Sequence, residues 1–95
     1  MRLTPREKKI ITEAIHALDQ EAQIYLFGSR VEDHLKGGDI DLLVISETLD
    51  FADVLKLRRM ILDQIGWQQL DLMIKKHSEL KEPFVVEAIE TGVKL

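Results

Sequence analysis

The sequence predicts an α/β fold (α+β, in two layers) in which a small mixed sheet is flanked by helices. Three observations lead there. Apolar residues recur at helical spacing near the N-terminus and again between residues 54 and 65; short runs rich in Ile, Leu and Val alternate with those stretches; and Gly or Pro marks nearly every boundary. No internal repeat, low-complexity tract or linker divides the 95 residues, so residues 1–95 read as a single domain with little room for a second, substrate-binding module.

Thr4-Pro5-Arg6-Glu7 combines a capping-box pattern with proline at the first helical position, and Ile10, Ile11, Ala14, Ile15 and Leu18 follow on one stripe. A helix over 4–19 is expected. Ile24-Tyr25-Leu26-Phe27 reads as a buried strand ended by Gly28, and Ile40 to Ile45, interrupted only by Asp41 and preceded by Gly37-Gly38, as a central strand. Asp50 is placed to cap a helix whose stripe is Val54, Leu57, Ile61, Leu62 and Ile65 and whose stop is Gly66. Its wet side would be Lys56, Arg58, Arg59 and Asp63. In a third strand from Leu70 to Ile74, period-two alternation puts Leu70, Leu72 and Ile74 on one face and Asp71 and Met73 on the other. Pro83 opens a last helix through Phe84, Val85, Ala88 and Ile89, which Gly92 closes.

Composition narrows the function. Hydrophobic residues at 45% and charged residues at 32% make an ordinary globular balance. A net charge of -4 argues against a sequence-independent grip on nucleic acid, which needs a basic footprint, so no direct nucleic-acid partner is expected. The absence of cysteine removes disulfides and thiolate metal sites and suits a reducing cytoplasm. Charges throughout residues 1–20 leave no signal-peptide core, and no stretch reaches the length of a membrane span. The expected setting is soluble and cytoplasmic.

The chemistry gathers at strand ends. Asp39 and Asp41 lie two apart at the start of a strand, so their side chains leave one face with Cα atoms about 6.5 Å apart. Two anions in an apolar strand are costly unless a cation or donors compensate them. All-oxygen ligation points to Mg²⁺, with Mn²⁺ as the substitute, because magnesium takes one or two carboxylates and completes its shell with water and phosphate oxygens. Gly28-Ser29 permits close backbone approach to an anion and adds a hydroxyl donor, and Arg30 stands beside it. Asp71 is expected next to Asp41 on a neighbouring strand. Read alone, Asp39 and Asp41 would also suit a glycine turn, and Gly28-Ser29 a plain strand-ending turn; their order and the later acid favour a site. His16, His34 and His77 show no ligand spacing, Tyr25 and Trp67 read as core or interface anchors, and Lys36 as solvated surface.

Tyr25-Leu26-Phe27-Gly28-Ser29-Arg30, then Gly38-Asp39-Ile40-Asp41-Leu42, then Leu70-Asp71-Leu72 resembles the polymerase-β-type nucleotidyltransferase superfamily. With almost nothing beyond that pattern, the chain looks like the minimal nucleotidyltransferases paired with small helical HEPN proteins as toxin–antitoxin systems. The resemblance implies that Asp39 and Asp41 bind two metal ions, that Asp71 completes one site and helps deprotonate the acceptor, and that Gly28, Ser29 and Arg30 hold the triphosphate of ATP or another nucleoside triphosphate. It also implies transfer of AMP to a hydroxyl of a HEPN-family toxin in a complex, which would make the chain an antitoxin. The alternative is a non-catalytic binding module that neutralises the toxin by occlusion. Gly38 departs from the pattern, where many members carry serine.

Overall fold

The computed structural model describes residues 3–28 and 40–95. Within them the order is α1 (Pro5–Leu18), β1 (Gln23–Phe27), β2 (Ile40–Ile45), α2 (Phe51–Ile65), β3 (Leu70–Lys75), a 3₁₀ turn (His77–Glu79), α3 (Pro83–Thr91) and β4 (Val93–Lys94). Both long helices begin on a reciprocal cap. Thr4 Oγ1 accepts from the Glu7 N–H at 3.0 Å while the Thr4 N–H donates to Glu7 Oε1 at 2.9 Å; Asp50 and Asp53 do the same for α2. Such caps satisfy donors that the first helical turn leaves unpaired. Gly66 ends α2 at φ 85°, a left-handed conformation that glycine takes without a Cβ penalty.

The sheet runs β3-β2-β1-β4, with β1 antiparallel to both β2 and β4, and β2 parallel to β3. Parallel neighbours need a crossover, which α2 supplies. This is the mixed α/β arrangement expected from the pattern. One sheet face, through Ile24, Leu26, Ile40, Leu42, Val44 and Leu70, packs against Ile11 and Ile15 of α1 and Leu57 and Ile61 of α2. The other face brings Leu43 and Ile45 under Val85 and Ala88 of α3. β2 is therefore buried on both sides, which explains why its sequence is apolar at both parities save for Asp41.

Three features depart from the sequence reading. β4 was not expected: two residues carry no periodicity, and the pairing depends on Gly92, where an added Cβ would stand 2.7 Å from the Leu26 carbonyl oxygen. The α3–β4 turn thus lies flush on β1. Arg58 is not on a wet face; it is half-buried, and its Nε donates to the Leu70 carbonyl at 3.1 Å. Trp67 is no core anchor in this chain, being 80% exposed. His16 and His77 make local ties instead of ligand sets, His16 to the Ala22 carbonyl and His77 to Glu47; His34 and Lys36 lie outside the described residues. Among the described residues no helix is long and apolar enough to cross a membrane.

Ser46, buried at the end of β2, joins α1 to the β2–α2 turn. Its Oγ donates to Asp19 Oδ2 and accepts from the N–H groups of Thr48 and Leu49 at 3.2 and 3.0 Å. The Ser46 hydroxyl, followed by the Glu21 N–H, holds the Asp19 carboxyl below its ordinary value despite partial desolvation. A depressed carboxylate contributes stability that is present above its unfolded pKa, near 4, and is lost as pH falls through the folded value. Ser46→Ala is expected to cost about 1.5–3 kcal/mol at pH 7, because it removes a bond to a charged group and leaves a buried N–H unpaired. Urea unfolding from pH 7 down to about 3 checks this, the difference from the parent shrinking as Asp19 is protonated.

Candidate active site

The register places the site. Phe27 stands opposite Asp41 across the antiparallel β1–β2 pair, and Asp41 is level with Asp71 across the parallel β2–β3 pair. All three sit on the α3 side of the sheet, at the end where β1 leaves and β2 and β3 begin. Parallel neighbours lie about 4.8 Å apart, so the two carboxylates rise side by side. Asp71 is exposed and Asp41 half-buried. Their positions follow from the opposite face: Leu70 and Leu72 of β3, with Ile40 and Leu42 of β2, are sealed under the helices, and period two turns the aspartates the other way.

Gly28 completes the corner. It follows Phe27 at φ 77°, and a Cβ built there would overlap Asp41 Oδ2. The Asp41 carboxylate thus occupies the space that any other residue at position 28 would fill. Glycine is required twice over, by backbone handedness and by contact. Ser29, Arg30 and Asp39, the other residues singled out from the sequence, lie outside the described residues.

Two hollows flank the row. One, of about 310 Å³, is bordered by Phe27, Leu42, Asp71, Leu72 and Met73; the other, of about 220 Å³, lies between Phe27, Gly28 and the α3 residues Phe84, Glu87, Ala88 and Thr91. Phe27 and Phe84 meet edge to face at 5.6 Å and 85°. Phe27 borders both hollows, a place the sequence did not announce, since it read only as a core residue of its strand. A third hollow, a groove of about 470 Å³ along β3, includes none of Gly28, Asp41 and Asp71.

A family model described as polymerase beta, nucleotidyltransferase, matches residues 8–95. The chain belongs to that family. Membership gives the reaction class, transfer of a nucleotidyl group, and a nucleoside triphosphate as the class of donor. Comparison with curated proteins found no matching relative.

Two adjacent carboxylates at a sheet end suit the divalent cation that such a transfer typically uses: the donors are hard oxygens, and Asp71 is exposed. Among the described residues there is no cluster of three or more potential metal-ligating acids or histidines, Asp39 being outside them. Asp41 and Asp71 are the two acids that the register brings level there, one from each strand.

Gly28 and Gly66 provide an internal comparison. Both have positive φ, but a Cβ at Gly66 meets nothing within 4 Å. Gly66→Ala should cost only the backbone strain, about 1–3 kcal/mol. Gly28→Ala should cost more than that in urea unfolding and should weaken Mn²⁺ binding read by electron paramagnetic resonance. Adding Asp41→Ala should recover the excess in stability and leave the strain, a coupling expected for groups in contact.

Proposed function

We propose that the chain is a single-domain, cytoplasmic nucleotidyltransferase that moves AMP from ATP to a hydroxyl, with Asp39, Asp41 and Asp71 as its metal-binding acids. The observation that carries this reading is the level pairing of Asp41 and Asp71 beside Gly28. Gly28, Ser29 and Arg30 hold the β- and γ-phosphates, the glycine admitting them close to the backbone and Arg30 offering a planar pair of donors. Bound Mg²⁺ supplies neutralisation of the triphosphate and of the entering and leaving oxygens. Asp71, the more exposed acid, takes the proton from the acceptor hydroxyl as its oxygen attacks the α-phosphorus in line. The new phosphorus–oxygen bond forms as the bond to the β-phosphate oxygen breaks, and pyrophosphate leaves.

The proposed acceptor is a hydroxyl on a HEPN-family protein held in complex with this chain, so that modification of the partner is the antitoxic act. Support comes from the motif resemblance in the sequence, together with the exposure of Asp71.

Calorimetric titration of ATP should give measurable affinity in Mg²⁺ and a large loss in EDTA, because two or more carboxylates repel the triphosphate until a cation offsets them. Equal affinity in both would remove the metal site. Asp71→Asn should reduce transfer about 10²–10⁴-fold with ATP binding retained. Ser29→Ala should reduce it roughly tenfold to a hundredfold at subsaturating ATP, the loss of one bond to a charged acceptor. In cells carrying the toxin, Asp39→Asn with Asp41→Asn should abolish protection while the complex persists; full protection would establish occlusion instead.

A further inference from the structure

Among the described residues β3 is an edge strand, paired with β2 on one side only. The bonds that join it to β2 fix which backbone groups face outward. Ile40 donates to the Gln69 carbonyl and Ser46 to the Lys75 carbonyl, so the odd-numbered residues of β3 turn N–H and C=O toward β2. In a parallel pair the alternate residues then turn theirs away. Those are Leu70, Leu72, Ile74 and, just beyond the strand, Lys76.

The two ends of this outward row are already occupied. Arg58 Nε donates to the Leu70 carbonyl, and the Lys76 N–H donates to Glu79 Oε1 at 2.9 Å. Between them the N–H and C=O of Leu72 and Ile74 meet no partner among the described residues. They open onto the groove of about 470 Å³ that runs along the strand, flanked by Phe51 of α2. Phe51 is 82% exposed, and Leu55, one turn further along the same helix, is 64% exposed. An open, apolar edge of this kind is a template for another strand.

We infer that this edge pairs with the same edge of a second copy of the chain, antiparallel, with Leu72 opposite Ile74 of the second copy and Met73 opposite Met73. The choice of occupant and register comes from self-complementarity. That alignment uses every open group on both copies and none that is taken. Centring on Leu72 would demand the Leu70 carbonyl that Arg58 holds; centring on Ile74 would demand the Lys76 N–H that Glu79 holds. It also sets Asp71 across from Lys75 of the second copy on the same face, an opposite-charge cross-strand pair, twice by symmetry. Lys75 Nζ lies 2.9 Å from Glu82 and 3.6 Å from Glu79, and an ammonium has three donors. The two α2 helices fall on one side of the eight-stranded sheet, where Phe51 and Leu55 of each copy gain cover. Each copy thereby brings a lysine to the rim of the other's Asp71.

The chain has no cysteine, so a single introduced thiol reports the register. In a non-hydrogen-bonded pair Cα atoms approach to about 4.5 Å, within disulfide range. Met73→Cys should cross-link into a covalent dimer under mild oxidation at micromolar concentration, at least tenfold faster than Glu13→Cys on the exposed face of α1. The uncross-linked parent should sediment with a mass that climbs from 11.0 kDa toward about twice that with concentration. Ile74→Pro, which removes an outward N–H and spares the bonds to β2, should keep the circular dichroism of the parent and stay at monomer mass. The inference is overturned if the parent stays at monomer mass at several hundred micromolar and the Met73→Cys variant cross-links no faster than the Glu13→Cys variant. It is equally overturned if a parental dimer forms but the thiol introduced at position 73 does not cross-link it, or if the edge takes up only an unrelated extended peptide.

Discussion

The level pairing of β2 with β3 is the constraint on which the rest of the molecule turns. Because side chains alternate along a strand, a slip of one residue would carry Leu70 and Leu72 out of the core and swing Asp71 under the helices. Burying each of those leucines is worth about 1.5–3 kcal/mol, and an ionised carboxylate in their place would cost several more. The aspartates are therefore held in position by residues of the opposite face. Ile61 and Leu57 of α2, which close over the same leucines, belong to that support as much as the strands do.

Local chemistry was legible in the sequence wherever one residue type has a single cheap conformation. Thr4 with Glu7, Asp50 before α2, Pro83 and Gly66 each mark a helix boundary through a hydrogen bond or a φ value, and each lies where its type predicts. The face assignment of Asp71 and Met73 followed from period two alone. What could not be read was decided by contacts between distant segments. The order β3-β2-β1-β4 depends on which edges find partners, β4 on the bare backbone at Gly92, and the place of Arg58 on a carbonyl twelve residues away. At the site, the aspartates and Gly28 stand out by type, whereas Phe27 gains its place beside Asp41 only through strand register.

The two carboxylates and Gly28 form a compact device because three strand ends meet there. β1 runs toward this end and the parallel pair runs away from it, and Gly28, next after Phe27, lies against Asp41. Glycine at that position removes the one side chain that would compete with the carboxylate for space. Close approach and negative charge are then provided together, which is the combination a cation-bridged phosphate needs: bare backbone for the anion and oxygen donors for the metal. Neither an exposed aspartate pair without the glycine nor a glycine turn without the acids would offer both.

The two edges of the sheet are managed differently, and the difference is informative. β4 is two residues long and carries exposed Lys94, a short charged edge that offers an incoming strand little to pair with. β3 is six residues long, and its guard is confined to its ends, where Arg58 and Glu79 each consume one outward backbone group. Random blunting would leave gaps of no particular symmetry. Here the unguarded stretch is centred on Met73 and bounded on either side by a side chain from a different element, so that it matches itself under a two-fold rotation. The side chains at equal distances from that centre on the site face, Asp71 and Lys75, have opposite charge. Backbone, charge and exposed apolar surface at Phe51 therefore agree on one partner.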